Sequence, residues 1–394
     1  MTLGYPSSSL RTRGRPSLSE KAFGRESMLW RLDWVLMSAV LALSLLGAAL
    51  VWSATRQRML DIDGDPQYFV KRHVLNLLIG LALGAMTAAF DYRMLRAYAP
   101  FVYVASVLGL VAVLFVGSTI NGAHSWIRLP LGFTLQPSEF AKLAIVVGVA
   151  MLLAERRDGE DGPRDIDVLQ ALAFAAVPVG LIVLQPDLGT IIVIAFIVLG
   201  MLAIAGVHAK WIVGLLLMTV VGGFLAVQLG VLSDYQVDRF RSFADPSSNS
   251  QAAGYNTNQA RIAIGSGGLL GKGLFEGTQT SGKFVPEQQT DFVFTVAGEE
   301  LGLVGAGLII LLVAVVLWRA VRIAMLADDP FGTLVAAGVV CWFAFQAFEN
   351  IGMTMGIMPV TGLPLPFVSY GGSSMFANMM AVGLLQNVHM RRYA

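Results

Sequence analysis

The chain reads as an all-α, polytopic membrane protein with about ten spans, and three observations carry that reading. Of its 394 residues, 56% are hydrophobic and only 13% charged, against about a quarter charged in a soluble domain. Mean hydropathy is +0.68. Apolar runs long enough to cross a bilayer, which takes about 20 helical residues, recur along the whole length. One transmembrane domain, 29–394, is expected.

Before it, residues 1–28 are rich in Ser, Arg, Gly and Pro, with no apolar stretch. This reads as a disordered basic tail, not a cleaved signal peptide. Spans are then expected at 33–54, 73–90, 97–117, 138–154, 168–185, 188–206, 210–232, 292–318, 333–357 and 369–389. Arg11, Arg13, Arg15, Lys21, Arg25 and Arg31 precede the first span and place the N-terminus in the cytoplasm. Alternation puts Arg93, Arg96, Arg156, Arg157, Arg164, Lys210, Arg319, Arg322 and the C-terminal Arg391 and Arg392 on the same side. The segment 56–72 breaks the trend, carrying Arg56, Arg58, Lys71 and Arg72 outside beside three aspartates.

One connection stands apart. Residues 233–290 form a long external loop, far beyond ordinary connections and therefore expected to be functional. Its glycine-dense part, 260–277 (ARIAIGSGGLLGKGLFEG), reads as a re-entrant or interfacial segment. The cytoplasmic loop 155–167 reads as a solvated linker. The net charge of +1 gives no reason to expect a nucleic-acid partner, and Cys341, alone within an apolar run, allows no disulfide inside one chain.

Carboxylates at membrane depth are expensive, so those present are candidates for chemistry. Counting back about 20 residues from Trp318 sets Glu299 near the outer boundary. Asp291 then lies up to about 12 Å further out by helical rise, facing an external vestibule from a rigid helix. That suits a general base; a helix cap at Thr290–Asp291 is the competing explanation. Glu139 and Lys142, three residues apart, share one helix face. They make either a structural ion pair or a polar cavity wall in which Lys142 attracts a phosphate. Arg128 can clamp a pyrophosphate or anchor the interface beside Trp126. Asp187 fits a tight turn in QPDLGT (185–190), while Glu349, mid-span beside Asn350, must face a polar interior. Residues 369–374 (SYGGSS) offer backbone N–H groups at a helix mouth, either for an anion or for turn packing. The histidines His73, His124, His208 and His389 have no metal-ligand spacing, and 265–271 (GSGGLLG) lacks the ending of a phosphate loop.

In this order, segments 121–143, 185–190, 263–279, 285–302 and 350–374 resemble the SEDS family of bacterial cell-wall glycan polymerases, over about two-thirds of the chain. Within it, 267–279 (GGLLGKGLFEGTQ) and 352–366 (GMTMGIMPVTGLPLP) are similar to the elongation branch, the RodA type. The Gly-Asn-Ser and Thr-Lys-Gly patterns of the division branch, the FtsW type, are missing. The stretch 245–258 departs from the family in its Ser/Asn content.

The resemblance implies a peptidoglycan glycosyltransferase of the bacterial inner membrane that uses lipid II and partners a class B penicillin-binding protein. It maps the family's acidic residue onto Asp291 and its ion pair onto Glu139 and Lys142. The implied reaction has Asp291 deprotonate an acceptor sugar hydroxyl, which inverts the donor's anomeric carbon and expels polyprenyl pyrophosphate. Candidates to meet that charge are Arg128, Lys142, Lys272 and Lys283, with Glu349 as a further substrate contact. A divalent cation such as Mg is a further option, although no protein metal site is legible. A flippase for the lipid-linked precursor and a scaffold for the transpeptidase are the alternatives from other classes.

Overall fold

The computed structural model describes residues 28–120, 123–155, 162–228 and 253–392, with Gly230, Val237, Arg239 and Phe243 between them. The basic tail up to residue 27, Arg156 and Arg157, and residues 245–252 of the Ser/Asn-rich stretch lie outside the described residues.

Helix covers each of the ten expected stretches as far as they are described. In chain order these are α1 (Trp34–Leu60), α2 (Tyr68–Ala89), α3 (Tyr92–Val116), α4 (Pro137–Leu153), α5 (Asp165–Val183), α6 (Leu188–Ile204) and α7 (Ala209–Gln228). Within the long loop lies α8 (Ala253–Ser266), and after it come α9 (Val293–Glu300), α10 (Gly302–Met325), α11 (Pro330–Met355) and α12 (Gly372–Arg391). Among the described residues, α1, α2, α3, α5, α10 and α11 are long and apolar enough to cross a membrane, and α6 and most of α7 are shorter apolar helices. The chain is a multi-pass membrane protein.

Helix α4 stands at the centre. Residues 137–150 are buried on every face except at Phe140, and from Leu143 on the helix is apolar all round. Helices α2 and α12 meet at van der Waals distance through glycine. A Cβ on Gly84 would come 2.7 Å from the Met379 carbonyl, and one on Gly383 would come 2.3 Å from the Gly84 carbonyl. Small residues are how helices approach closely where no water is present to drive them together.

Polar staples close one end of the bundle. Asp33 caps α1 at Leu36 N, 3.0 Å, receives Arg319 Nε of α10 at 2.8 Å, and exchanges two backbone bonds with Gln386 of α12. Nearby, Asn387 accepts from Tyr92 N at 3.2 Å and donates to Thr87 O at 2.8 Å. The start of α1 and the end of α12 therefore share one end of the bundle.

Two features depart from expectation. The stretch after α3 folds as a small antiparallel sheet, β1 (Ser118–Ile120), β2 (Ala123–Arg128) and β3 (Thr134–Leu135), within a chain expected to be all-α. The span expected at 292–318 is broken at Leu301–Gly302, where Gly302 has φ +65°. A break orphans backbone groups, and the glycine-dense segment satisfies them. Lys272 N and Gly273 N donate to the Glu299 and Glu300 carbonyls at 3.1 and 3.0 Å, and Leu303 N and Val304 N donate to Gly268 O and Leu269 O at 2.9 and 3.1 Å. A Cβ on Gly271 would sit 2.1 Å from the Glu300 carbonyl, so only glycine fits there. This part of 260–277 is thus a brace on the kinked helix pair, with α8 packed behind it.

Candidate active site

At the end opposite the Asp33 staple, a cavity of about 350 Å³ is lined by residues from α2, the small sheet, the start of α4, the start of α6, the 287–291 segment, the 361–364 loop and the start of α12. Three helices, α4, α6 and α12, bring their N-terminal ends to it. Exposed N–H groups and helix dipoles make such a place favourable for anions.

The 287–291 segment carries Asp291 and is held unusually firmly. Glu287 adopts φ +51°, and its carbonyl accepts from the N–H groups of Thr290, Asp291 and Phe292 at 3.2, 3.1 and 3.3 Å. The next carbonyls are each taken from outside: Gln289 O by Tyr370 N at 2.8 Å, Thr290 O by the Ser369 hydroxyl at 2.5 Å, and Asp291 O by Asn350 Nδ2 at 2.8 Å. The same Asn350 amide donates to Leu363 O at 2.7 Å. Helix α11 and the 361–370 loop thereby fix the backbone that presents the carboxylate. Phe292, not Asp291, is the residue preceding α9, so helix capping does not explain Asp291.

Burial among these groups pushes the Asp291 carboxyl up to about 6, helped by the negative charge of Glu287. A hydrogen bond from Thr290 and the charge of Arg239 act the other way. The carboxylate remains partly accessible on the cavity wall.

Glu139 lines the same cavity from α4 and accepts from Lys142 Nζ at 2.8 Å. Lys142 does not reach the cavity. It is fully buried one turn below, donating to Gln346 Oε1 at 3.1 Å with its ammonium 4.6 Å from the Trp342 ring centre. Gln346 in turn donates to Pro364 O at 2.8 Å, linking the pair to the cavity loop. Asp187 is more than a turn residue: it caps α6 at Thr190 and receives Gln136 Nε2 at 3.0 Å, joining the starts of α4 and α6.

Comparison with known proteins places this arrangement. Residues 33–394 match the FtsW/RodA/SpoVE cell cycle protein family. The chain belongs to that family, the SEDS proteins. A probable peptidoglycan glycosyltransferase FtsW of Trichlorobacter lovleyi is 37% identical over 90% of this chain and 92% of its own. The peptidoglycan glycosyltransferase MrdB of Escherichia coli K12 is 36% identical over 92% and 94%. A chain from a peptidoglycan synthase complex, solved to explain how polymerization and crosslinking are coordinated, superposes with a TM-score of 0.77 at 31% identity, covering 92% of this chain and 98% of that one.

Within this SEDS chain, the other three cations nominated from sequence stand outside the cavity as Lys142 does. Arg128 is exposed at the end of β2, where its backbone pairs with Thr134, although its neighbours Ser125 and Trp126 do line the site. Lys272 is held by Glu299 at 2.8 Å and Thr278 at 2.7 Å, as part of the brace on the kinked helices. Lys283 pairs with Asp61 at the surface. Glu349 is buried in α11 behind the wall, in the field of both Asp291 and Arg239. Among the described residues no group of three or more His, Cys, Asp or Glu side chains is placed to hold a metal ion.

Sequence reasoning missed Arg72, Asn76, Gln136 and Arg239, all of which line the cavity. Arg72 did leave a signal, since it violates the positive-inside trend. Its guanidinium is spent on the Gly132 carbonyl at 2.7 Å and lies over the Tyr68 and Phe133 rings. Arg239 left none.

Proposed function

We propose that Asp291 is the general base with which this chain, a peptidoglycan glycosyltransferase of cell-wall synthesis, polymerises lipid II. One observation carries the reading: a carboxylate raised to about 6 stands on a cavity wall with its backbone clamped through three successive carbonyls. A base needs a pKa near the working pH and fixed geometry, and both are present. Asp291 takes the proton of the acceptor hydroxyl, whose oxygen inverts the donor's anomeric carbon and releases polyprenyl pyrophosphate. The good leaving group makes a second catalytic carboxylate unnecessary. The helix N-termini at the cavity suit a substrate with an anionic head. A divalent cation such as Mg belongs to this proposal as an assistant to the leaving charge, with no ligand set assigned.

The same proposal includes ten crossings in the bacterial inner membrane with both termini cytoplasmic, supported by ten apolar stretches and the clustering of basic residues. It includes a class B penicillin-binding protein as partner, supported by the likeness to a chain from a polymerising and crosslinking complex. Assignment to the elongation branch rests on the motifs at 267–279 and 352–366, because relatives of both branches are equally similar. Expression in conditional mutants separates the branches: rescue of rod shape is expected, and rescue of septation alone would reverse the assignment.

The reading is tested by the pH dependence of glycan formation from lipid II. Protonation removes the base, so kcat/KM is expected to level off above about pH 7, to halve near about 6 and to approach a tenfold fall per unit below about pH 5. Glu287→Gln removes a neighbouring negative charge and moves this limb to lower pH. A rate indifferent to pH between 5 and 7, roughly the window around a group at about 6, would remove Asp291 as base. Translocation of labelled lipid II in liposomes with no polymer would favour the flippase reading instead.

A further inference from the structure

We infer that Arg239 is the cation that receives the diphosphate leaving group, facing Asp291 across Gly362. The inference rests on the reading of Asp291 as the base and adds the residue on the other side of the breaking bond.

Arg239 belongs to the long external loop, yet its guanidinium lies on the cavity wall, held by a 3.0 Å bond from Nη1 to the Thr361 carbonyl. The neighbouring Gly362 gives the geometry. From the position a Cβ would take there, Asp291 Oδ2 is 3.2 Å away and both terminal nitrogens of Arg239 are 3.9 Å away. Carboxylate and guanidinium thus stand within about 7 Å of each other, and Gly362 places no side chain between them. Its φ of +79° lies in the region glycine tolerates, so the gap is built into the backbone.

Both groups border the same space, so a bond broken beside Asp291 sheds its charge within reach of Arg239. The acceptor O–H proton moves to Asp291 as the O–C bond forms. The C–O bond to the diphosphate breaks, its electron pair leaves with phosphate oxygen, and the added negative charge falls on Arg239. A guanidinium meets such a group with two parallel N–H bonds. Arg72, the other guanidinium on the cavity wall, lies by the Gly132 carbonyl against two aromatic rings, and Lys142 lies beneath the floor.

The test compares binding of undecaprenyl diphosphate and undecaprenyl monophosphate to the full-length protein in detergent, alongside turnover. Arg239→Ala is expected to bind the diphosphate at least 10-fold more weakly, to bind the monophosphate within about 3-fold of wild type, and to lose about 10²–10³ in kcat. Arg239→Lys is expected to recover part of both losses. Asp291→Asn should keep diphosphate binding while losing polymer, which separates failure of the base from failure of this inference. Wild-type diphosphate affinity in Arg239→Ala, or equal loss of both lipids, would overturn it. Where Arg239→Ala does not fold, Arg239→Gln decides by the same criteria.

Discussion

Asp291→Asn is expected to yield a folded protein that makes no measurable glycan, with turnover reduced about 10²–10⁴-fold. The side chain changes by one atom, and nothing in the clamp uses it. Tyr370, Ser369 and Asn350 all bind backbone oxygens, so the segment should keep its place. The measurement is electrophoresis of products from purified protein, its partner and lipid II; near-normal polymer length and rate would sink the assignment.

Stability should move in the opposite direction. The folded carboxyl titrates above its ordinary value, so the native state is favoured when the group is protonated and loses that advantage as pH rises through about 6. Asn carries no charge at any pH. The variant should therefore melt higher than wild type at pH 7.5 and no higher at pH 4. A protein that became both inactive and less stable at pH 7.5 would point to a structural role for Asp291.

Much of the helical layout was legible because a bilayer leaves a crossing chain little choice. Each backbone group must be paired internally, so every long apolar stretch is helix. The break at Leu301–Gly302 was not legible, since AGEELGLVGAG continues into an apolar run and the groups that mend it lie some thirty residues upstream. The strands at 118–135 are too short for alternation to show.

At the site, Asp291 and Glu139 stood out because buried carboxylates are costly. The cations did not sort themselves, because lining a cavity is a property of tertiary packing. Lys283 and Arg128 look as suitable as Arg239 in sequence, and only the fold turns one of them toward Asp291. Arg72 shows that a cation breaking the positive-inside trend deserves pursuit: the fold puts it on the cavity wall.

The second large effect is expected at Lys142. Both members of its pair are essentially without solvent, the lysine wholly so and Glu139 at 2%. Replacing Lys142 by Met leaves a buried carboxylate without its cation and takes a donor from Gln346, a change expected to cost about 3–5 kcal/mol. The double variant Lys142→Met/Glu139→Gln removes both charges and should recover most of that loss, since an uncharged pair of similar volume spares the desolvation of two ions. Activity should not return with it. Glu139 lines the cavity, and the chain from Pro364 through Gln346 to Lys142 joins the bond from Asn350 to Leu363 O in tying the 361–364 loop, with Gly362 beside Asp291, to α11 and on to α4. Thermal unfolding in detergent and polymer assays on the same three proteins read the two effects separately. If Lys142→Met unfolds within about 1 kcal/mol of wild type, the range of an exposed pair, the charges are not paired in the interior as described. If the double variant polymerises normally, the pair serves folding alone and the loop needs no such tether.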